Sequence, residues 1–444
     1  MVILIKAAQL ILSLSILVII HEFGHFIFSK AFKCRVEKFY LFFDPWFSLF
    51  KFQKGETEYG IGWLPLGGYV KISGMIDESM DKEQMKLPAE PWEFRSKPSW
   101  QRLIIMIGGV LFNLILAVLL YSAVLFVWGE QYLPTKNAKY GISVSETGKE
   151  LGLKNGDKII SVDGIEVEDF NKIVATIVLN GAKTIEVQRN EEKVVVPVKN
   201  EIIPKLLKDK FIISLRIPYS CNIVGFGKES PARDAGLEIG DEIMSINGSG
   251  FQYYDQFTDT LTASKEKTIS LLIKHKGTEK TVSVSIGKSG VLGIQRDYLI
   301  EGLFDFKTIS YSFFESFPAG VSKGYHAVGN YLKQFKLLFA PETKAYESLG
   351  GFIAIGNIFP SVWDWESFWN LTAFLSIILA VMNILPIPAL DGGHVLFLLF
   401  EIITGRKPSD KFLEYAQIVG MVILFSLLIY ANGNDIWKWY STKF

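Results

Sequence analysis

Four long apolar runs organise this chain, at roughly 7–28, 103–128, 367–385 and 415–429. Runs of this kind suit helices that cross a hydrocarbon layer about 30 Å thick, with some tilt. The pattern predicts a polytopic α-helical membrane protein with four transmembrane helices. Trp128, Trp365, Trp369, Trp437 and Trp439 lie near the ends of the runs, where interfacial aromatics belong. The second run contains Gly108, Gly109 and Asn113. The glycines allow close helix approach, and the Asn needs a partner inside the bundle.

Short basic loops orient the helices. Lys30, Lys33, Arg35 and Lys38 follow the first run, Arg95, Lys97 and Arg102 precede or open the second, and Arg406, Lys407 and Lys411 separate the third from the fourth. Positive loops stay on the cytoplasmic side. Both termini and the long 129–365 segment are therefore expected outside. The first run is read as a membrane helix, because no small-residue cleavage site precedes its polar motif.

The intervening stretches change the picture from a plain bundle. Residues 39–43 and 46–50 are unusually apolar for a loop, and 59–64 and 69–72 alternate like strands around Pro65-Leu66-Gly67-Gly68. This predicts a β-hairpin-like region dipping into the membrane, where protein or water satisfies its backbone. Residues 77–98 read as an exposed loop. Residues 129–300 hold an internal repeat at a constant offset of 84: Leu151–Gly164 matches Ala235–Gly248. Each copy predicts a β-rich module with a Gly-Asp turn, a short strand, an Asp/Asn-Gly turn, a helical stretch and two alternating strands. The division is 1–28 for helix one, 29–101 for the β region and loop, 102–128 for helix two, and 129–209 and 210–298 for the modules. It continues with 299–365 as a helical connector, 366–405 as helix three, 406–413 as a loop, 414–432 as helix four and 433–444 as a tail.

Composition adds limits. Among the 444 residues the net charge is zero, which leaves no nucleic-acid footprint. Two cysteines exclude a disulfide framework, and Cys34 and Cys221 are expected on opposite sides of the membrane and unpaired.

The chemistry begins with His21-Glu22-Phe23-Gly24-His25 at the end of the first run. Histidines four apart share one helix face and can bind one Zn²⁺, with the intervening Glu placed to act as a base on water. A charged cluster at this depth is costly unless it has a job. A catalytic zinc usually has three protein ligands. Asn383-Ile384-Leu385-Pro386-Ile387-Pro388-Ala389-Leu390-Asp391-Gly392-Gly393-His394 closes the third run on the same side. Its Asp391 is the leading third ligand, His394 the second choice, and Glu401 and Glu414 are competitors in more exposed surroundings. His275 and His326 read as outside residues without a metal role.

The repeat pattern A-G-L-x-x-G-D-x-I-x-x-I-N-G resembles the bacterial, circularly permuted PDZ family, which implies modules able to take a peptide as an added strand. Taken together, H-E-F-G-H in a first membrane helix, the tandem repeat, and N-x-L-P-x-P-x-L-D-G-G-H later in the chain resemble the site-2 proteases, closest to their regulator of sigma E protease branch. The resemblance implies an intramembrane zinc endopeptidase of the bacterial inner membrane. It implies one Zn²⁺ on His21, His25 and Asp391, Glu22 as catalytic base, and Asn383 touching substrate or its developing oxyanion. It also implies that the 59–72 region, including Gly67, Gly68 and Tyr69, pairs with substrate as a strand. Single-pass membrane proteins, such as an anti-sigma factor or signal-peptide remnants, are the implied substrates, cut after a first protease, and the modules face the periplasm. Two departures concern packing: Gly109-Val110 and Gly351-Phe352 stand where relatives often have Gly-Pro. Rival readings are a peptidase with its site outside the bilayer, an inactive PDZ scaffold and a zinc transporter.

Overall fold

The computed structural model describes residues 1–65, 67–75, 87–209, 211–297 and 302–443. They divide into two units, one of residues 1–130, 310–336 and 346–444, the other of 131–309 and 337–345. The first part of the expected 77–98 loop lies outside the described residues.

Among the described residues the first unit contains six principal helices: α1 (Val2–Ala31), α2 (Ser99–Val127), α3 (Phe313–Leu338), α4 (Trp365–Ile384), α5 (Asp391–Thr404) and α6 (Asp410–Lys443). Four are long and apolar enough to cross a membrane: α1, α2, α4 and, within α6, Lys411–Ser441. The third expected segment, 366–405, is two helices rather than one. Pro386 and Pro388 lack the N–H groups that would continue α4, and the chain re-enters helix at Asp391.

In α1 the buried residues are Gln9, Ser13, Leu17, His21, Gly24, His25 and Ser29, while Ile11, Leu12, Ile19, Phe23 and Ile27 are exposed. This inverts the pattern of a water-soluble helix. Lipid solvates aliphatic side chains, so small and polar groups find each other inside the bundle. Thr372 of α4 donates to Ser13 at 3.0 Å, and Ser376 donates to the Asn113 carbonyl at 2.7 Å. Gly24 and Gly108 bring α1 and α2 into backbone contact: a Cβ on Gly24 would stand 2.3 Å from the Gly108 carbonyl oxygen.

Between α1 and α2 lies a four-stranded sheet of β1 (Val36–Leu41), β2 (Phe43–Lys54), β3 (Thr57–Leu64) and β4 (Tyr69–Ile72), in the order β2-β3-β1-β4. The expected hairpin of 59–64 with 69–72 does not form. β1 lies between these two strands, parallel to β3 and antiparallel to β4. The hairpin is instead β2–β3, closed by Gly55 at φ 63°. Tyr40 accounts for the parallel pairing. It is fully buried opposite Gly60, where a Cβ would meet its ring at 2.3 Å. Among the described residues β4 is an edge strand. On β2, Trp46, Phe47, Leu49, Phe50 and Phe52 stand exposed, with Trp46 and Phe47 stacked on Trp63.

The second unit repeats itself. Strands Lys158–Val162, Thr184–Arg189 and Glu192–Pro197 form one sheet, and Glu242–Ile246, Thr268–His275 and Thr278–Ser285 recur in the other, the first two beginning at the 84-residue offset and the third after a longer hairpin. Each has its own apolar core, around Ile159, Ile173, Ile185 and Val187 in one and Ile243, Phe257, Leu271 and Ile273 in the other. Buried Asp157 and Asp241 each accept a backbone N–H from three residues earlier at 2.8 Å. Asp163 and Asn247 each adopt positive φ before a Gly, so the Asp/Asn-Gly turns are present as read. Cys34 and Cys221 are free buried thiols, and burial pushes Cys221 up to about 11.

Candidate metal centre

Helical spacing places His21 directly beneath His25 on the buried face of α1, with ring centroids 4.9 Å apart and planes at 80°. Both are more than nine-tenths buried. Room for two imidazoles against a neighbouring helix comes from Gly109 of α2. A Cβ there would lie 2.4 Å from His25 Nε2 and 2.6 Å from His21 Cε1.

Asp391 arrives as the first residue of α5, where the free N–H groups of the helix end favour a carboxylate. Gly392 and Gly393 let that turn fold tightly back on the break. A Cβ on Gly392 would be 2.2 Å from the Leu385 carbonyl oxygen, and one on Gly393 2.6 Å from that of Ile387. Asp391 Oδ2 then stands 3.1 Å from His21 Nε2 and 3.3 Å from His25 Nε2, and the two Nε2 atoms are 3.3 Å apart. Zn–ligand bonds of about 2.0–2.1 Å in a tetrahedron place ligand atoms about 3.3 Å from one another. The triangle therefore matches one face of a zinc tetrahedron.

The donor set fits a cation on chemical grounds as well. His25 Nδ1 lies 2.9 Å from the Ile105 carbonyl oxygen, which places the ring proton on Nδ1 and leaves Nε2 a bare lone pair. Asp391 Oδ2 is buried and has no hydrogen-bond donor. Lone pairs converging in a buried pocket repel unless a positive ion stands among them. His21, His25 and Asp391 are the metal-capable cluster found among the described residues.

The competitors lie elsewhere. Glu401 pairs with Arg102 at 2.5 Å and accepts from Ser99 at 2.9 Å, inside the bundle rather than in the exposed setting expected of it. His394 lines a separate small cavity of about 60 Å³ with Arg95, Arg102 and Glu401. Glu414, His275 and His326 are outside the cluster. Asn383, at the end of α4, places its amide nitrogen 3.1 Å from His21 Nε2, so this residue does reach the centre.

Glu22 is half-buried next to His21, and the Gly67-Gly68 loop crosses α1 beside it. A Cβ on Gly68 would stand 2.6 Å from Val18 Cγ1, 2.7 Å from the Tyr40 carbonyl oxygen and 3.3 Å from Glu22 Cγ. The loop can come this close only because the residue is Gly. Gly67 has φ 152° and lies over the Phe43 ring. The Tyr69 side chain packs within the sheet: its hydroxyl donates to Asp44 at 2.8 Å and its ring stacks between Tyr40 and Phe43. What remains for a ligand is its backbone on the β4 edge.

Sequence reasoning missed the part played by α2. Its Ile105 carbonyl, Gly109 and Asn113 all face the two histidines. The signal was Asn113, a lone amide in an apolar run, whose partner depends on how α1 and α2 cross.

A family model described as peptidase family M50 matches residues 9–427. A Yersinia pestis protein named protease RseP is 28% identical, covering 98% of this chain and 99% of its own length. A Haemophilus influenzae protein named regulator of sigma E protease is 26% identical, over 96% of this chain and 97% of its own. A Campylobacter jejuni relative named as a zinc metalloprotease is 28% identical, over 96% and 92%.

Proposed function

This chain belongs to peptidase family M50, the site-2 family of zinc metalloproteases, and from that premise we propose that His21, His25 and Asp391 hold the zinc and Glu22 is the catalytic base of an intramembrane endopeptidase. The observation that carries this is the 3.1–3.3 Å triangle of two imidazole nitrogens and a carboxylate oxygen.

Zinc held there supplies a Lewis acid that lowers the pKa of water towards about 7. The rest is the work of the chain. Glu22 takes the proton of the attacking water and returns it to the leaving nitrogen of the cleaved peptide. Asn383, with its amide N–H beside His21 Nε2, donates to the carbonyl oxygen as negative charge develops on it. The substrate helix must unwind first, because a helical carbonyl is hydrogen-bonded and shielded. The edge of β4, unpaired among the described residues and brought beside Glu22 by the Gly67-Gly68 loop, offers the unwound stretch new hydrogen-bond partners. The exposed aromatics of β2 suit a sheet immersed in lipid.

The basic loops support a cytoplasmic-side site, with both termini and the repeated PDZ-like modules on the periplasmic face of a bacterial inner membrane. In this reading the modules restrict access to single-pass substrates already trimmed by another protease, such as an anti-sigma factor or signal-peptide remnants, and peptides are their candidate ligands.

Glu22→Gln in the full-length protein tests the base. It should keep one zinc per chain and lose about 10²- to 10⁴-fold in cleavage of a transmembrane substrate. Cleavage at the wild-type rate would overturn the assignment.

A further inference from the structure

Asn113 is fully buried in α2, one turn beyond Gly109, and its side chain meets the outer face of His21. Its amide nitrogen is 3.2 Å from His21 Nδ1, and its Oδ1 is buried without a partner. A neutral His21 that offers Nε2 to a cation carries its one proton on Nδ1. An amide N–H facing that proton is donor against donor. A half-turn of the amide about its Cβ–Cγ bond exchanges its two nearly isosteric ends. It brings the orphaned Oδ1 to the Nδ1–H.

His25 shows the same arrangement already made, with Nδ1 2.9 Å from the Ile105 carbonyl oxygen. Ile105, Gly109 and Asn113 follow one another at successive turns of α2. The outer two contact the Nδ1 atoms of the two histidines, and the middle one makes space for both rings. Ser376 of α4 donates to the Asn113 carbonyl at 2.7 Å and pins α2 at that turn.

We propose that Asn113 is a positioning residue of the metal centre, whose Oδ1 accepts the Nδ1–H of His21 and so fixes the ring and the tautomer that present Nε2 to zinc. Such outer contacts commonly set metal affinity by about 10- to 100-fold. The inference rests on His21 being a ligand.

Full-length protein in detergent is titrated with zinc against a competing chelator, and its Co²⁺ form is followed by visible absorption. Asn113→Leu, similar in volume but unable to accept, should bind zinc about 10- to 100-fold more weakly and shift the Co²⁺ spectrum. Asn113→Asp, which keeps the acceptor, should restore affinity to within about threefold, or about 0.6 kcal/mol. Asn113→Ala replaces the Leu variant if that one fails to fold, with the same loss expected. Wild-type affinity in the Leu or Ala variant, or equal weakening in the Asp variant, overturns the proposal. His21→Ala is the control: zinc retained there defeats the ligand reading itself, whereas zinc lost there and unchanged in Asn113→Leu defeats this inference alone.

Discussion

Gly109 sets how large the wall of the metal pocket can be. The nearest atoms to a Cβ built on it are Nε2 of His25 and Cε1 of His21, at 2.4 and 2.6 Å, closer than carbon and nitrogen can approach. Gly109→Ala must push one or both imidazoles off the triangle. Helix propensity alone would favour Ala by about 1 kcal/mol, so any loss of zinc affinity here reports sterics at the site. Gly329→Ala in α3, where a Cβ meets nothing within 4 Å, is the matched control. Zinc binding should weaken by about 10-fold or more in the first variant and stay unchanged in the second; equal affinities would show that the pocket relaxes freely. This scale also shows what a sequence can disclose. His21, Glu22 and His25 were legible because the geometry joining them is local, one turn of one helix. Asp391 was legible because a carboxylate at that depth needs a cation. Asn113 was legible only as a residue in want of a partner, and Gly109 as a site of close packing. Which atoms they touch is set by how α1 and α2 cross, a property no single segment encodes.

At the level of elements, the strands were recognisable and their pairing was not. Residues 59–64 and 69–72 alternate as strands should, and the Pro-Gly-Gly stretch between them looks like a hairpin turn. The decisive contact is non-local: Tyr40 of β1 inserts against Gly60 of β3, and this places β1 between the two. A different non-local device fixes α6, whose apolar part is largely unburied within the protein. Buried Asp435 accepts the backbone N–H groups of Gly351 and Ala354 at 3.0 and 2.9 Å, Asn432 accepts that of Phe352 at 3.2 Å, and Asn434 donates to the Leu349 carbonyl at 2.6 Å. These polar side chains cap the short helix Phe352–Ile358 and hold its entry to α6. Asp435→Ala leaves two N–H groups without their carboxylate, which costs about 1–3 kcal/mol. Amide exchange at 351–354 should therefore quicken by about 10- to 100-fold, with zinc content unchanged. Unaltered protection would mean that Asn432 and Asn434 suffice.

For the whole molecule, the sequence carried the order of parts further than their placement. The four membrane-length helices and the repeated β-rich modules follow from hydropathy and from an 84-residue self-match, both readable along one dimension. The candidate metal centre unites residues from opposite ends of the chain, His21 and Asp391, through a helix from neither end, so its assembly required the fold. That assembly leaves half-buried Glu22, the proposed base, next to a closed face of donor atoms, with a sheet edge alongside. Such a site would cleave any unwound strand that reached it, and selection must then act on access. The proposed role of the modules meets this need by size rather than by sequence. A single-pass substrate with a folded domain fused to its outer end should be cleaved by the full-length enzyme at least about tenfold more slowly than the same segment trimmed, a difference of about 1.4 kcal/mol in barrier. Proteolytic removal of that domain should restore the faster rate without altering the cleaved bond. Equal rates for both substrates would remove the gating role from the modules while leaving the metal centre as assigned.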